Sequence, residues 1–153
     1  MNADYINPFL NAAVNVLTTM AFVNPKAGKP FLKKGNKAQG DISGIIGLTG
    51  HTKAVVIFTF SKEAALKIVS SMLGESYTEL NQDICDAVGE LTNMLSGDAR
   101  RALAEKGYVF EAGLPSIIKG PGHEIINQTS GPTVVIPFDV DGATFVVEAS
   151  FEK

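Results

Sequence analysis

Helical stretches interleaved with short β-branched strands, hairpin turns joining several of those strands, and a uniform composition predict one α/β domain of the α+β kind over residues 1–153. The expected sheet is mixed but largely antiparallel, with long helices packed on it, because tight hairpins join only antiparallel neighbours. At 153 residues the chain is about one domain long and can bury a single sizeable core. No low-complexity tract or linker divides it.

The elements follow from local signals. Asn7 and Pro8 read as a helix start, with asparagine at the N-cap and proline at the first helical position, where its missing N–H is harmless. Phe9, Ala13, Val16, Leu17 and Met20 recur at helical spacing to about Ala21. Residues 24–40, with two prolines, three glycines and five lysines, read as a loop holding a short strand at Phe31–Leu32. Residues 41–60 read as a hairpin: Ile42, Ile45, Ile46 and Leu48, a Gly50-His51 turn, then Val55-Val56-Ile57-Phe58. Ser61 caps a second helix over Lys62–Leu73, which Gly74 ends. The third helix, over residues 81–106, carries the strongest signals. Asn81 stands at its N-cap, Asp83 and Asp86 near its start, Arg100, Arg101 and Lys106 towards its end, and Gly107 beyond. Strands are expected at residues 108–112, 123–126, 133–138 and 143–151, with Asp141-Gly142 as the last hairpin turn.

Composition excludes several classes of function. Thirteen basic against sixteen acidic side chains give a net charge of -3, whereas sequence-independent nucleic-acid binding favours a basic surplus. Cys85 is the only cysteine, so there is no intrachain disulfide and no multi-cysteine zinc site. His51 and His123 lie far apart in sequence and form no ligand cluster, so the chain is expected to bind no metal or cofactor of its own. The longest strictly apolar run, Ala54 to Phe58, is far short of the roughly 20 residues that cross a bilayer. The first residues lack the basic region of a secretory signal. The expectation is a cytoplasmic domain without a membrane partner.

The third helix has an odd outer face. At 100° per residue Ile84, Val88, Leu91, Leu95 and Ala102 form a core stripe. Opposite lie Asp86, Glu90, Asn93 and Gly97, with Arg100 and Arg101 beyond. Asp, Asn and Gly are all poor interior helix residues, Gly by about 1 kcal/mol relative to Ala. One reading is a solvated surface with weak local choices. The other is a face built to meet a partner. Glu90 and Asn93, three apart, point the same way; a carboxylate can grip a lysine, and an amide can both donate to and accept from water. Gly97, one turn on, leaves room for an approaching surface.

The spacing Asp86-x3-Glu90-x2-Asn93-x21-Pro115 resembles the signature of the CheC/CheX/FliY chemotaxis phosphatases. The whole chain is similar to the CheX branch, including its opening Tyr5-Ile6-Asn7-Pro8-Phe9. An internal comparison agrees: laying residues 10–17 on 88–95 matches Asn15 with Asn93 but sets Ala12 against Glu90, as expected of a chain with one working site. The resemblance implies hydrolysis of the aspartyl phosphate on a phosphorylated CheY-like response regulator, whose own site holds a divalent metal (magnesium) and a lysine. Glu90 would bond that lysine and Asn93 would hold a water in line for attack, with Asp86 and Gly97 in the docking surface. It also implies a homodimer joined through sheet strands. The alternative is a non-catalytic docking or switch module that binds a response regulator or a flagellar motor component.

Other candidates are weaker. Cys85 borders the core stripe and reads as structural; His51 and His123 read as ordinary loop residues. The glycines at 40, 44, 47 and 50 match no phosphate-loop spacing. Residues 127–129 are a formal glycosylation sequon, not expected to be used inside a cell. The lysines between 26 and 37 read as a solvated loop, or as one that steers an acidic partner. Pro115 reads as shaping a turn.

Overall fold

The computed structural model describes residues 3–126 and 129–152. Three helices, α1 (Ala3–Ala21), α2 (Lys62–Leu73) and α3 (Gln82–Glu105), accompany eight strands among these residues. The strands are β1 (Pro25–Ala27), β2 (Phe31–Leu32), β3 (Ile42–Gly50), β4 (Ala54–Phe60), β5 (Phe110–Ala112), β6 (Ser116–Lys119), β7 (Thr133–Val140) and β8 (Ala143–Phe151). They form one open sheet in the order β1-β7-β8-β4-β3-β5, with β2 also on β7 and β6 also on β3. Every pairing is antiparallel, so the sheet is purely antiparallel rather than mixed.

Alternation along the strands makes two faces. Ile42, Ile46, Phe58, Phe60, Phe145 and Val147 join Phe9 and Leu17 of α1, Ile68 of α2, and Ile84, Leu91 and Leu95 of α3 in the core. The other face is covered in part. There Ser43, Thr59, Glu148 and Ser150 are buried. Lys33, 8% exposed, pairs with Glu148, 2% exposed, at 2.6 Å. A buried carboxylate needs such a partner, so Lys33 belongs to the interior and not to a solvated or steering loop. His123 donates from Nδ1 to the Gly120 carbonyl at 2.7 Å, which leaves Nε2 to accept from Ser43 Oγ, also at 2.7 Å.

α1 begins earlier than its Asn-Pro signal suggests, and Pro8 lies inside it. Proline removes one backbone donor, but the residues before it are held by packing. Ile6 is buried, and Tyr5 lies 4.9 Å from Tyr108 and 4.8 Å from Phe151, ring to ring. Past the helix, Phe22 takes φ 56°, a left-handed conformation that costs an L-residue roughly 1–2 kcal/mol. α2 has the bounds its signals specify. Ser61 Oγ accepts from Ala64 N at 3.1 Å, and Gly74 closes it at φ 68°. Asp141 and Gly142, at φ 50° and 92°, make the two-residue hairpin turn, for which two positive φ values suit the strand twist.

Two strands escape the sequence signals. β1 starts at Pro25, which only a sheet edge tolerates. β6 lies at residues 116–119, whereas residues 123–126 hold only an isolated bridge, Lys37 to Glu124. Along β3, Gly113 N donates to Gly47 O at 3.0 Å and Ser116 opposes Ile45. Leu114 and Pro115 thus face the single residue Ile46 in a bulge, and the chain runs on along β3 in the same direction, so Pro115 shapes a bulge and not the expected turn.

A close helix-to-sheet approach sets the site. A Cβ on Gly44 of β3 would fall 1.9 Å from Thr92 Oγ1 of α3, and Thr92 Oγ1 itself donates to Val88 O at 2.8 Å. Gly44→Ala should therefore destabilise the fold by about 1–3 kcal/mol, as overpacking does, and Thr92→Ala should recover part of that loss. Urea unfolding of the two single variants and the double variant measures it; an unchanged Gly44→Ala midpoint would contradict this packing.

Candidate partner-docking face on helix α3

α3 is started by Asn81, whose side chain accepts from Ile84 N at 3.0 Å. Its buried side is Ile84, Ala87, Val88, Leu91, Thr92, Leu95, Ser96, Ala99 and Leu103. Near the helix end Ala99 and Leu103 reach the core and Ala102 is left half-buried. The face opposite follows by geometry. Asp86, Glu90 and Asn93 are exposed and Gly97 is half-exposed. Steps of four, three and four residues keep them on one stripe about 16 Å long.

The four are not equivalent. Asp86 Oδ1 accepts from Gln82 Nε2 at 2.8 Å, so it is tied within its own helix. Beyond Gly97, Arg101 pairs with Asp98, and Arg100 Nε donates to Ser96 Oγ at 3.3 Å. The side chains of Glu90 and Asn93, between these satisfied groups, make no hydrogen bond or ion pair with another described residue. Their donors and acceptors face water. Gly97 has no steric reason to be glycine: an added Cβ would meet nothing nearer than Arg100 Nη2, 3.8 Å away. It opens a groove walled by Val16, Thr19 and Met20 of α1 and by Met94 and Arg101 of α3.

α1 offers no second copy of this face. Asn15 is exposed, but Ala12, in the place of Glu90, is 1% exposed and belongs to the core. Cys85 is half-buried beside the core stripe. Both histidines lie in loops, as expected, and each has a partner there. His51 Nε2 lies 3.0 Å from the Tyr5 hydroxyl within an aromatic cluster, and His123 is locked between Ser43 and Gly120. Asn127 and Gln128 of the sequon lie outside the described residues. Among the described residues no group of three or more His, Cys, Asp or Glu is placed to hold a metal, and no helix is long and apolar enough to cross a membrane. The residues that sequence reasoning missed are Gly44 and Thr92, which seat α3; a glycine on the core-facing side of a strand pattern, between Ile42 and Ile46, was their signal.

An open antiparallel sheet backing three helices, with one helix face turned outward, is the CheC-like fold. Residues 42–139 match the family model described as chemotaxis phosphatase CheX. The chain belongs to that family. It is 28% identical over 141 residues, 92% of this chain and 90% of the relative, to the CheY-P phosphatase CheX of Thermotoga maritima. A CheC-like superfamily protein from Shewanella sp. PV-4 superposes with a TM-score of 0.94 at 43% identity, covering 100% of both chains. A Borrelia burgdorferi CheX, solved as a CheX-CheY-BeF3-Mg complex, gives a TM-score of 0.84 at 31% identity over 97% of this chain and 98% of that one.

Because nothing crowds Gly97, Gly97→Ala should raise stability by about 1 kcal/mol, the helix-propensity difference. A lower denaturant midpoint for that variant would show that the glycine serves the fold after all.

Proposed function

We propose that this chain, acting as one unit over residues 1–153, hydrolyses the aspartyl phosphate of a CheY-like response regulator. Glu90 and Asn93 are its catalytic pair, and Asp86 and Gly97 form part of the docking surface. The relatives' names support the substrate: a CheY-P phosphatase in Thermotoga maritima and a complex with CheY in Borrelia burgdorferi. The observation that carries the residue assignment is that Glu90 and Asn93 stand side by side, exposed, with no partner among the described residues.

Chemistry limits each role. A carboxylate on an outward helix face can accept a charge-assisted hydrogen bond from a lysine of the receiver and so fix the docking register. A carboxamide takes up no proton at neutral pH, so Asn93 is not a general base. Its oxygen can accept from a water while its NH2 donates to a phosphoryl oxygen, which holds the water behind phosphorus. The water oxygen bonds to phosphorus as the phosphorus–carboxylate bond breaks, the receiver's aspartate leaves with the bonding pair, and inorganic phosphate departs with the water's remaining protons shared with solvent. Magnesium belongs to the receiver's own site, where it supplies charge neutralisation at the phosphoryl group. Orientation of this kind is known from GTPase glutamines. A hundredfold acceleration requires only about 3 kcal/mol, a modest demand on one held water.

The same reading places the chain in the cytoplasm, where such receivers are, and as a homodimer. Two sheet edges are available for a second copy, one along β1 and β2 and the other along β5 and β6. Joining either edge would extend the sheet and keep α3 on its helix-covered side. A monomeric mass by sedimentation would overturn that assembly.

Phosphate release from a panel of acetyl-phosphate-loaded receivers tests the function. Asn93→Ala should lower kcat by at least about a hundredfold, or about 3 kcal/mol, with binding of the receiver largely kept. Glu90→Ala should weaken both binding and rate, and Gly97→Leu should block docking. Wild-type turnover by Asn93→Ala would remove the water-positioning role and favour a docking module in which the pair is merely adhesive.

A further inference from the structure

An apolar groove unused by the proposed chemistry flanks the Glu90/Asn93 face, and an exposed aromatic ring follows it in sequence at the end of α1. α1 runs antiparallel to α3. Asp4 at its start lies 3.8 Å from Lys106, just past the end of α3, while Met20, near its other end, shares a groove with Met94 and Gly97. Met20 is 47% exposed, and Phe22, just past the helix, is 79% exposed. Phe22 also has φ 56°. Among the described residues only Asp141 shares a positive φ without being glycine, and Asp141 sits in a two-residue hairpin turn that requires it. Aspartate and asparagine suit the left-handed region, whereas a bulky aromatic there is an outlier, and glycine is the usual residue after a helix end. Position 22 thus combines backbone strain with an aromatic ring left in water. The left-handed turn itself closes α1, with Val23 N donating to Leu17 O at 3.4 Å, and glycine would make it without strain; what folding does not use is the exposed ring, and strain retained for it is a mark of function.

We propose that Phe22 and Met20, together with the groove at Met94 and Gly97, form an apolar anchor for the phosphorylated receiver, taking an apolar side chain from the surface around its phosphorylation site. This rests on the reading that such a receiver is the substrate. Continuity with the α3 face selects the occupant. Met94 follows Asn93 directly, and Gly97 lies one turn further on. A specific interface covers about 800 Å² per partner, a disc of about 16 Å radius, so a domain that sets its phosphate against Asn93 must also cover this groove. Exposed ion pairs contribute little to affinity, so Glu90 alone is a weak anchor. Aromatic side chains dominate the hot spots of interfaces, and methionine adapts to varied apolar shapes.

The test uses the full chain and the receiver that the wild type dephosphorylates fastest, with Phe22→Gly and Met20→Ser as variants. KM comes from phosphate release at varied receiver concentration, and Kd from binding of the beryllofluoride-loaded receiver. Phe22→Gly should raise KM and Kd by about thirtyfold or more, the threshold for a hot-spot side chain, with the loss of efficiency confined to KM. Its unfolding midpoint should hold or rise, because glycine relieves the left-handed strain; a merely structural Phe22 would lower it. Unchanged KM and Kd in both variants would overturn the anchor. So would loss of dimer mass with Kd for the receiver unchanged, which assigns the patch to a second copy. If the wild type binds the loaded receiver without hydrolysing phosphate, the phosphatase reading fails while Kd still decides the anchor. If it neither binds nor hydrolyses with any receiver, both fail.

Discussion

The approach of α3 to β3 at Gly44 and Thr92 sets everything on the outer face. A helix lying that close to a sheet can bury one side only, and the burial of Val88, Leu91, Leu95 and Ala99 fixes its rotation to within a fraction of a turn. Once the rotation is fixed, the residues half a turn away have no freedom of address. Glu90 and Asn93 point outward because Thr92, between them in sequence, points in. Precision at a distance of one helix diameter comes from packing, and the polar pair needs no supporting hydrogen bonds to be aimed.

This arrangement divides labour between rigid and adaptable parts. The helix provides direction, through caps, core contacts and a sheet behind it. The polar side chains keep their hydrogen-bonding capacity open for groups that arrive with the partner. Family membership is consistent with that division: members share the sheet and the helix packing closely enough for TM-scores of 0.84 to 0.94 at 31% to 43% identity. The flanking surface at the end of α1 is where affinity and choice of partner are proposed to reside.

Much of this was readable from residue order, and the failures have particular causes. α2 and α3 were legible because their caps, Ser61, Gly74 and Asn81, are local devices whose chemistry does not depend on the rest of the chain. The outward stripe was legible because helical periodicity needs no tertiary information. Pro8 misled because the aromatic contacts of Tyr5, which carry the helix past it, come from residues a hundred positions and more away. Lys33 looked solvated for the same reason: its partner Glu148 lies on the last strand, more than a hundred positions away. β6 was hidden by its brevity and by the bulge at Leu114 and Pro115, and Phe22 by a backbone angle no composition reveals.

The burial of Ala12 has a numerical consequence. Of the two helices that align, only α3 presents the Glu90/Asn93 arrangement, since the residue of α1 in the place of Glu90, Ala12, is committed to the interior. On the proposed reading, each polypeptide then serves one regulator at a time, and signal lifetime shortens as the cell holds more copies. Nothing in such a one-faced tool calls for sigmoidal response; its dose curve is that of independent blades.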